Sequence, residues 1–272
     1  MPGMPNPANA APRVDIIREA PLARIVVDNS ARRNALTASI QRQLAHAVHE
    51  LETDADVSVL ALTGAGTEAF VAGADISEFQ RTLNDAKEAE HYRRLGDAML
   101  AAVRDCVKPT IAVIGGACMG AGVALAAECD LRYARRGARF GIPAGRLGIG
   151  YPVDGTRRLV ELAGSGPVTE MFLTGRLYTA DEAKAMGLVT DVFDDAVFEA
   201  EVRRLALMVA ESAPLALMAA RLSIRAATAG PPDDEALRMR ARTAVDACFA
   251  SRDLREGWRA FVEKRRPVFE GR

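Results

Sequence analysis

The sequence predicts an α/β protein: a mainly parallel sheet followed by a helical C-terminal region. Three observations carry this. Apolar runs of strand length alternate with helical patterns over residues 14–134. Two of those runs pass through small residues and glycines into helix starts, Phe70-Val-Ala-Gly-Ala-Asp-Ile76 and Gly115-Gly-Ala-Cys-Met-Gly-Ala-Gly-Val123. From about Thr156 onward the patterns are nearly all helical. Strands that alternate with helices pair in parallel through right-handed crossovers.

Taken in order, residues 14–18 and 23–27 read as a short strand pair joined through Ala20-Pro21. Thr37 is an N-cap for a helix whose Ile40, Leu44, Val48 and Leu51 share one face. Residues 57–63 form a continuous apolar strand that Gly64-Ala-Gly66 ends. A polar helical stretch runs from Asp75 to about Arg104, and Lys108-Pro109 separates it from a strand at 110–114. A further strand covers 131–134. Helical patterns then occupy 156–162, 167–173, 180–186, 198–212, 215–227, 233–250 and 254–264, with Pro231-Pro232 as a break.

With 49% hydrophobic and 26% charged residues, the composition is that of an ordinary soluble globular chain. The formal net charge of −1 gives no reason to expect nucleic acid or an anionic membrane as partner. Cys106, Cys118, Cys129 and Cys248 are scattered and read as buried free thiols of a reducing, cytoplasmic compartment. Residues 1–13 read as a disordered lead-in without the apolar core of a signal peptide. The charge-free segment 110–127 has nearly the length of a membrane span, but its glycines and β-like opening make it a buried strand, turn and helix start.

The glycine run lacks dinucleotide-fingerprint spacing, and the chain has no Walker lysine and no G-x-S-x-G elbow. His46, His49 and His91 form no metal set, so no metal is expected. The chemistry therefore rests on the two turns. A strand–turn–helix start leaves backbone N–H groups unpaired, where the helix dipole favours negative charge. Two such turns facing one another hold a developing oxyanion between two N–H donors.

Several motifs, in order, resemble the crotonase (enoyl-CoA hydratase/isomerase) superfamily: Arg32-Arg-Asn-Ala-Leu36, Leu62-Thr-Gly64, Ala72-Gly-Ala-Asp-Ile-Ser-Glu-Phe79, Lys108-Pro with Gly116 through Gly122, Leu173-Thr-Gly175, Ala183-Lys-Ala-Met-Gly-Leu-Val189, and Arg255-Glu-Gly with Phe261-Val-Glu-Lys264. The resemblance implies a spiral ββα core at 14–200, a C-terminal helical trimerisation region at 201–272, and a trimer or hexamer. It implies a coenzyme A thioester as substrate and no separate cofactor. It places oxyanion-hole amides at Ala72 and Ala121, and has Asp75 cap its helix with the Asp75–Ile76 backbone near the adenine. Arg32 and Arg33 would lie near the CoA phosphates, with Ala35, Gly73, Ala74 and Gly120 completing the binding set, while Phe261 and Lys264 would reach a neighbour's site.

The family's hydratases hold and activate water with two glutamates. Here those stations fall at Ala124 and Ala144, and a third acid station used by related isomerases falls at Pro152. Alanine transfers no proton, and each lost acid–base group costs about 10²–10⁴ in rate. Tyr151 and Asp154 in the following loop are the candidate substitutes, in a stretch that resembles the methylmalonyl-CoA decarboxylase branch. The sequence thus points to an acyl-CoA enzyme that stabilises a thioester enolate, of lyase, decarboxylase or isomerase type. The alternatives are a conventional hydratase with relocated acids and a catalytically silent acyl-CoA binder.

Overall fold

The computed structural model describes residues 11–82, 85–228 and 234–272. Its core repeats one unit: a strand in a large sheet, a short strand in a second sheet, then a helix. The first repeat is β3 (Val59–Gly64), β4 (Ala69–Val71) and α2 (Ile76–Thr82) with α3 (Ala86–Asp105). The second is β5 (Thr110–Ile114), β6 (Ala117–Met119) and α4 (Ala121–Glu128). The third is β7 (Leu131–Arg135), β8 (Arg139–Gly141), a 3-10 turn at Ala144–Leu147 and α5 (Val153–Ala163). Ahead of them, β1 (Arg13–Glu19) pairs antiparallel with β2 (Leu22–Asp28), and α1 (Ala38–Glu52) is capped by the Thr37 hydroxyl, which accepts from the Ile40 amide at 3.1 Å.

The large sheet runs β1-β2-β3-β5-β7-β10, the last at Asp191–Phe193, and is parallel from β2 onward. Its strands alternate sides, as the period of two requires. Ala23, Ile25, Val27, Leu60, Leu62, Ala112 and Ile114 face a core shared with α1, α3 and α4. Leu22, Val59, Ala61, Ile111 and Val113 face the other side, where α8 (Phe198–Ala210) lays Phe198, Val202 and Ala206 on the sheet at helical spacing.

The structure corrects several sequence expectations. The polar stretch after Asp75 is two helices, because the Asp85 carboxylate caps α3 by accepting from the Lys87 amide at 2.8 Å. Two strands lie in the half expected to be nearly all helix: β9 (Tyr178–Thr179) pairs with β8, and β10 (Asp191–Phe193) closes the large sheet against β7. The proposed boundary at residue 200 cuts through α8, which belongs to the core by its packing. Arg13 is already in β1, while residues 1–10 lie outside the described ones. Residues 110–127 hold the expected buried strand, turn and helix start with β6 as a second, unexpected strand between them, and no single helix among the described residues is long and apolar enough to cross a membrane.

The last helices are α9 (Pro214–Thr228), α10 (Asp234–Ala250) and α11 (Arg252–Glu263). α9 is tied to the core through Arg221, whose Nε donates to Asp130 at 2.7 Å, and Arg225, which pairs with Asp105 at 3.2 Å. This region leaves Phe249, Trp258, Phe261 and Val262 two-thirds or more exposed (66–78%).

Candidate active site

The second sheet is what gathers the site. β4, β6 and β8 pair in parallel, with Ala69 beside Ala117 beside Arg139 and Val71 beside Cys118 beside Phe140. The segments that leave these strands therefore run side by side. They carry residues 72–75, 120–124 and 144, which the sequence scattered over three motifs. Each strand has only three residues, too few for a periodic signal, so sequence reasoning had no handle on this convergence.

Two glycines let the turns approach. A Cβ on Gly122 would lie 2.3 Å from the Val71 carbonyl oxygen, so only glycine fits there. Gly73 has φ +116° and a Cβ on it would sit 3.6 Å from the Met119 carbonyl oxygen. The turn before α2 thus lies directly against the turn before α4.

The backbone hydrogen bonds decide which amides are free. The Ala72 amide is not: it donates to the Arg33 carbonyl at 3.1 Å. This corrects the assignment of Ala72 as an oxyanion donor. The next residues bridge to Leu36, whose N–H donates to the Gly73 carbonyl at 2.8 Å and whose carbonyl accepts from the Asp75 amide at 2.9 Å. In a trans peptide the C=O and N–H point in opposite directions. With the Gly73 carbonyl fixed on Leu36, the Ala74 N–H faces the other way, and among the described residues it has no acceptor. On the second turn, the Gly120 amide is used by the Gly141 carbonyl at 2.9 Å, while Ala121 opens α4 with its amide unpaired. The free pair is Ala74 and Ala121.

The loop that fixes the Ala72 amide is itself pinned. Arg33 and Asn34 both adopt positive φ (52° and 58°), and the buried Asn34 amide group donates to the carbonyls of Ala65 (3.0 Å) and Ala69 (2.8 Å). Asparagine tolerates this conformation, and its side chain satisfies carbonyls that the turn leaves over. Ala35 is buried beside it. Sequence reasoning quoted Asn34 in a motif and missed this role.

Asp75 does cap α2, accepting from the Ser77 amide at 2.9 Å. Its carboxylate, 3% exposed, also takes Arg32 Nη1 at 2.6 Å. Burial pushes the Asp75 pKa up, but the Ser77 hydroxyl and amide and the Arg32 charge outweigh it and hold it below the usual aspartate value. Arg32 is therefore engaged with Asp75 while half exposed, and Arg33 is exposed beside it, as is Ile76.

Ala124 on α4 and Ala144 at the start of the 3-10 turn after β8 are both buried, at 9% and 6% exposure. The acid that α4 does carry, Glu128, is one turn past Ala124; burial raises its pKa, and Arg104, Arg158 and Arg225 are its charged neighbours, at the far end of the helix. Pro152 precedes the first residue of α5 and is exposed. Asp154 falls within the first turn of α5 rather than in the loop before it, and its side chain lies outside the described residues. Tyr151 packs edge-on against Phe172, with ring centroids 4.9 Å apart, near Cys118 of β6. Burial pushes its phenol up to about 12. Arg146 is exposed and donates to the Thr174 carbonyl at 3.2 Å. Phe261 and Lys264 sit exposed at the end of α11 rather than beside the two turns.

The sequence model of the enoyl-CoA hydratase/isomerase family matches residues 18–272. The chain is 36% identical over 254 residues to the crotonyl-CoA hydratase of Syntrophomonas wolfei, covering 93% of this chain and 95% of that protein. It is 33% identical over 267 residues to the 2,3-dehydroadipyl-CoA hydratase of Escherichia coli, covering 94% and 98%. Among solved structures, a putative enoyl-CoA hydratase/isomerase family protein from Hyphomonas neptunium superposes with a TM-score of 0.88 at 36% identity, over 95% of this chain and 98% of that one. The ββα repeat, the paired helix-start turns and these matches together place this chain in the enoyl-CoA hydratase/isomerase (crotonase) family.

Proposed function

We propose that this protein binds a coenzyme A thioester with its carbonyl oxygen between the amides of Ala74 and Ala121. The reaction then runs through the thioester enolate, as in lyase, decarboxylase or isomerase chemistry, rather than through efficient water addition. One observation carries the reading. Ala121, with its free amide, opens the helix that also carries Ala124, and both acid stations, Ala124 and Ala144, are buried methyl groups. Backbone donors stabilise negative charge on the thioester oxygen without moving a proton. A substrate that loses a carboxylate as CO₂ leaves its bonding electrons on that oxygen and needs no base from the protein. Tyr151 is the nearby phenol that can hold or return a proton, and Arg33 with the outer edge of Arg32 is the cationic rim for phosphates. The exposed apolar side chains of α10 and α11 fit a closed trimer or hexamer in which Phe261 and Lys264 complete a neighbour's site.

A second reading, a hydratase with relocated acids, is favoured by the names of the relatives. Substitution Ala121→Pro tests the amide assignment with little risk to the fold. Ala121 is the first residue of α4, where proline is best tolerated, so the change deletes the N–H and little else. Turnover of the native acyl-CoA should fall by about 10²–10³. A folded variant with full activity would remove Ala121 from the site.

A further inference from the structure

The Ala74 amide is aimed by a single residue, Leu36, which holds the peptide units on both sides of it. Leu36 lies between the Arg32–Asn34 loop and α1, and its own position is set from α3. The Tyr92 hydroxyl, on the second turn of that twenty-residue helix, donates to the Leu36 carbonyl at 2.8 Å. That carbonyl already accepts from the Asp75 amide at 2.9 Å, so it would not be an orphan without Tyr92. The second donor therefore adds a constraint rather than meeting an unmet need. It joins α3 to the carbonyl of Leu36, which holds the peptide after Ala74 while the Leu36 N–H holds the peptide before it and with it the direction of the Ala74 N–H. A companion contact acts two residues further on, where Glu78 Oε2 accepts from the Ala38 amide at 2.6 Å and draws the start of α1 to α2.

We propose that Tyr92 is a positioning residue for the oxyanion amide at Ala74, acting through the carbonyl of Leu36. This rests on the assignment of Ala74 and Ala121 as the donors to the thioester oxygen. The hydroxyl remains a donor over the working pH range, because burial, together with the carboxylates of Glu78 and Asp75, pushes it up to about 12. Gln41 on α1 and the Asp75 backbone are its other polar neighbours. A purely structural tyrosine would lower stability when truncated and leave the ligand's electronic state alone. A positioning tyrosine changes how strongly the bound carbonyl is polarised.

The probe is 4-(dimethylamino)cinnamoyl-CoA, whose absorbance moves to longer wavelength when its thioester carbonyl is polarised. The native protein should bind it with a red shift, and Ala121→Pro should abolish most of that shift. Tyr92→Phe should bind the probe within about threefold of native affinity, lose a large part of the red shift, and lower kcat about tenfold with KM nearly unchanged, the pattern of an interaction realised mainly in the transition state. Incorporating 3,5-difluorotyrosine at position 92 gives the same test without relying on a truncated variant. Its phenol ionises at lower pH, so the red shift and kcat should fall together as that phenol titrates, while the native protein stays flat over the same range. A folded Tyr92→Phe with the full red shift and native kcat, or a difluorotyrosine protein whose shift ignores the titration, would overturn the role of Tyr92. A native protein that binds the probe without a red shift, or an Ala121→Pro variant that keeps it, would overturn the oxyanion assignment instead.

Discussion

The turn side of the cleft holds its two free amides in a frame with little slack. Gly122 is pressed against the Val71 carbonyl, Leu36 grips both peptides around Ala74, and Asn34 closes the loop behind them. The positions that the family resemblance marks as acid stations carry methyl groups at 124 and 144 and a proline at 152. A backbone donor survives almost any change of side chain, whereas an acid is lost in one substitution. If the proposed function holds, the comparison teaches that the ability to bind and polarise a thioester persists where the means of adding water to it is absent.

The largest test of this contrast is hydration of crotonyl-CoA. Two missing acid–base groups should leave the rate about 10⁴ or more below that of an enzyme carrying both, although cooperating groups are not additive. Installing Ala124→Glu with Ala144→Glu should raise it. Both positions are buried, so the double variant's folding must be checked by circular dichroism alongside the rate. Hydration at ordinary enzyme rates by the native chain would break the contrast at once.

A smaller effect sharpens it. If Tyr151 holds or returns the proton, Tyr151→Phe should slow the native acyl-CoA reaction by about 10² with the edge-on contact to Phe172 kept. Unchanged turnover would leave the alanine wall as described and remove Tyr151 from it. Assembly is next. Trp258, Phe261 and Val262 are exposed on α11, and sedimentation should find a trimer or hexamer at micromolar concentration; a stable monomer would count against the shared site.

The smallest expected effect is on stability at high pH. Tyr92 and Tyr151 both have folded-state values raised from 10.0 to about 12. A raised value means the fold favours the protonated phenol. Its contribution is complete below pH 10 and is lost as the pH rises from there to about 12. Urea unfolding across that window should show declining stability, with a shallower decline in either phenylalanine variant.

Much of this was legible in the sequence, and the reasons for the remainder are physical. Long periodic segments such as α1, with its Thr37 cap, and the apolar strands of the large sheet declare themselves through pattern. The three-residue strands β4, β6 and β8 do not, yet they bring the turns together. The glycine turns announced unpaired amides, but spacing alone could not say whether residue 72 or 74 carries the free one. That depends on which carbonyl Leu36 and Arg33 present, a contact between segments far apart in the chain. The split between α2 and α3 followed from Asp85, a capping residue that sat unread inside a polar stretch. Tyr92 gave no signal, since a lone tyrosine on a polar helix face looks like any other.

The most direct test of the account is mass spectrometry of a panel of acyl-CoA thioesters, unsaturated, β-oxo and malonyl-type, incubated with the native protein. The account predicts that the favoured substrate yields a product of isomerisation, carbon–carbon cleavage or CO₂ loss, with crotonyl-CoA left largely without added water. Rapid conversion of crotonyl-CoA to the species heavier by one water, unaffected by Tyr151→Phe, would contradict it.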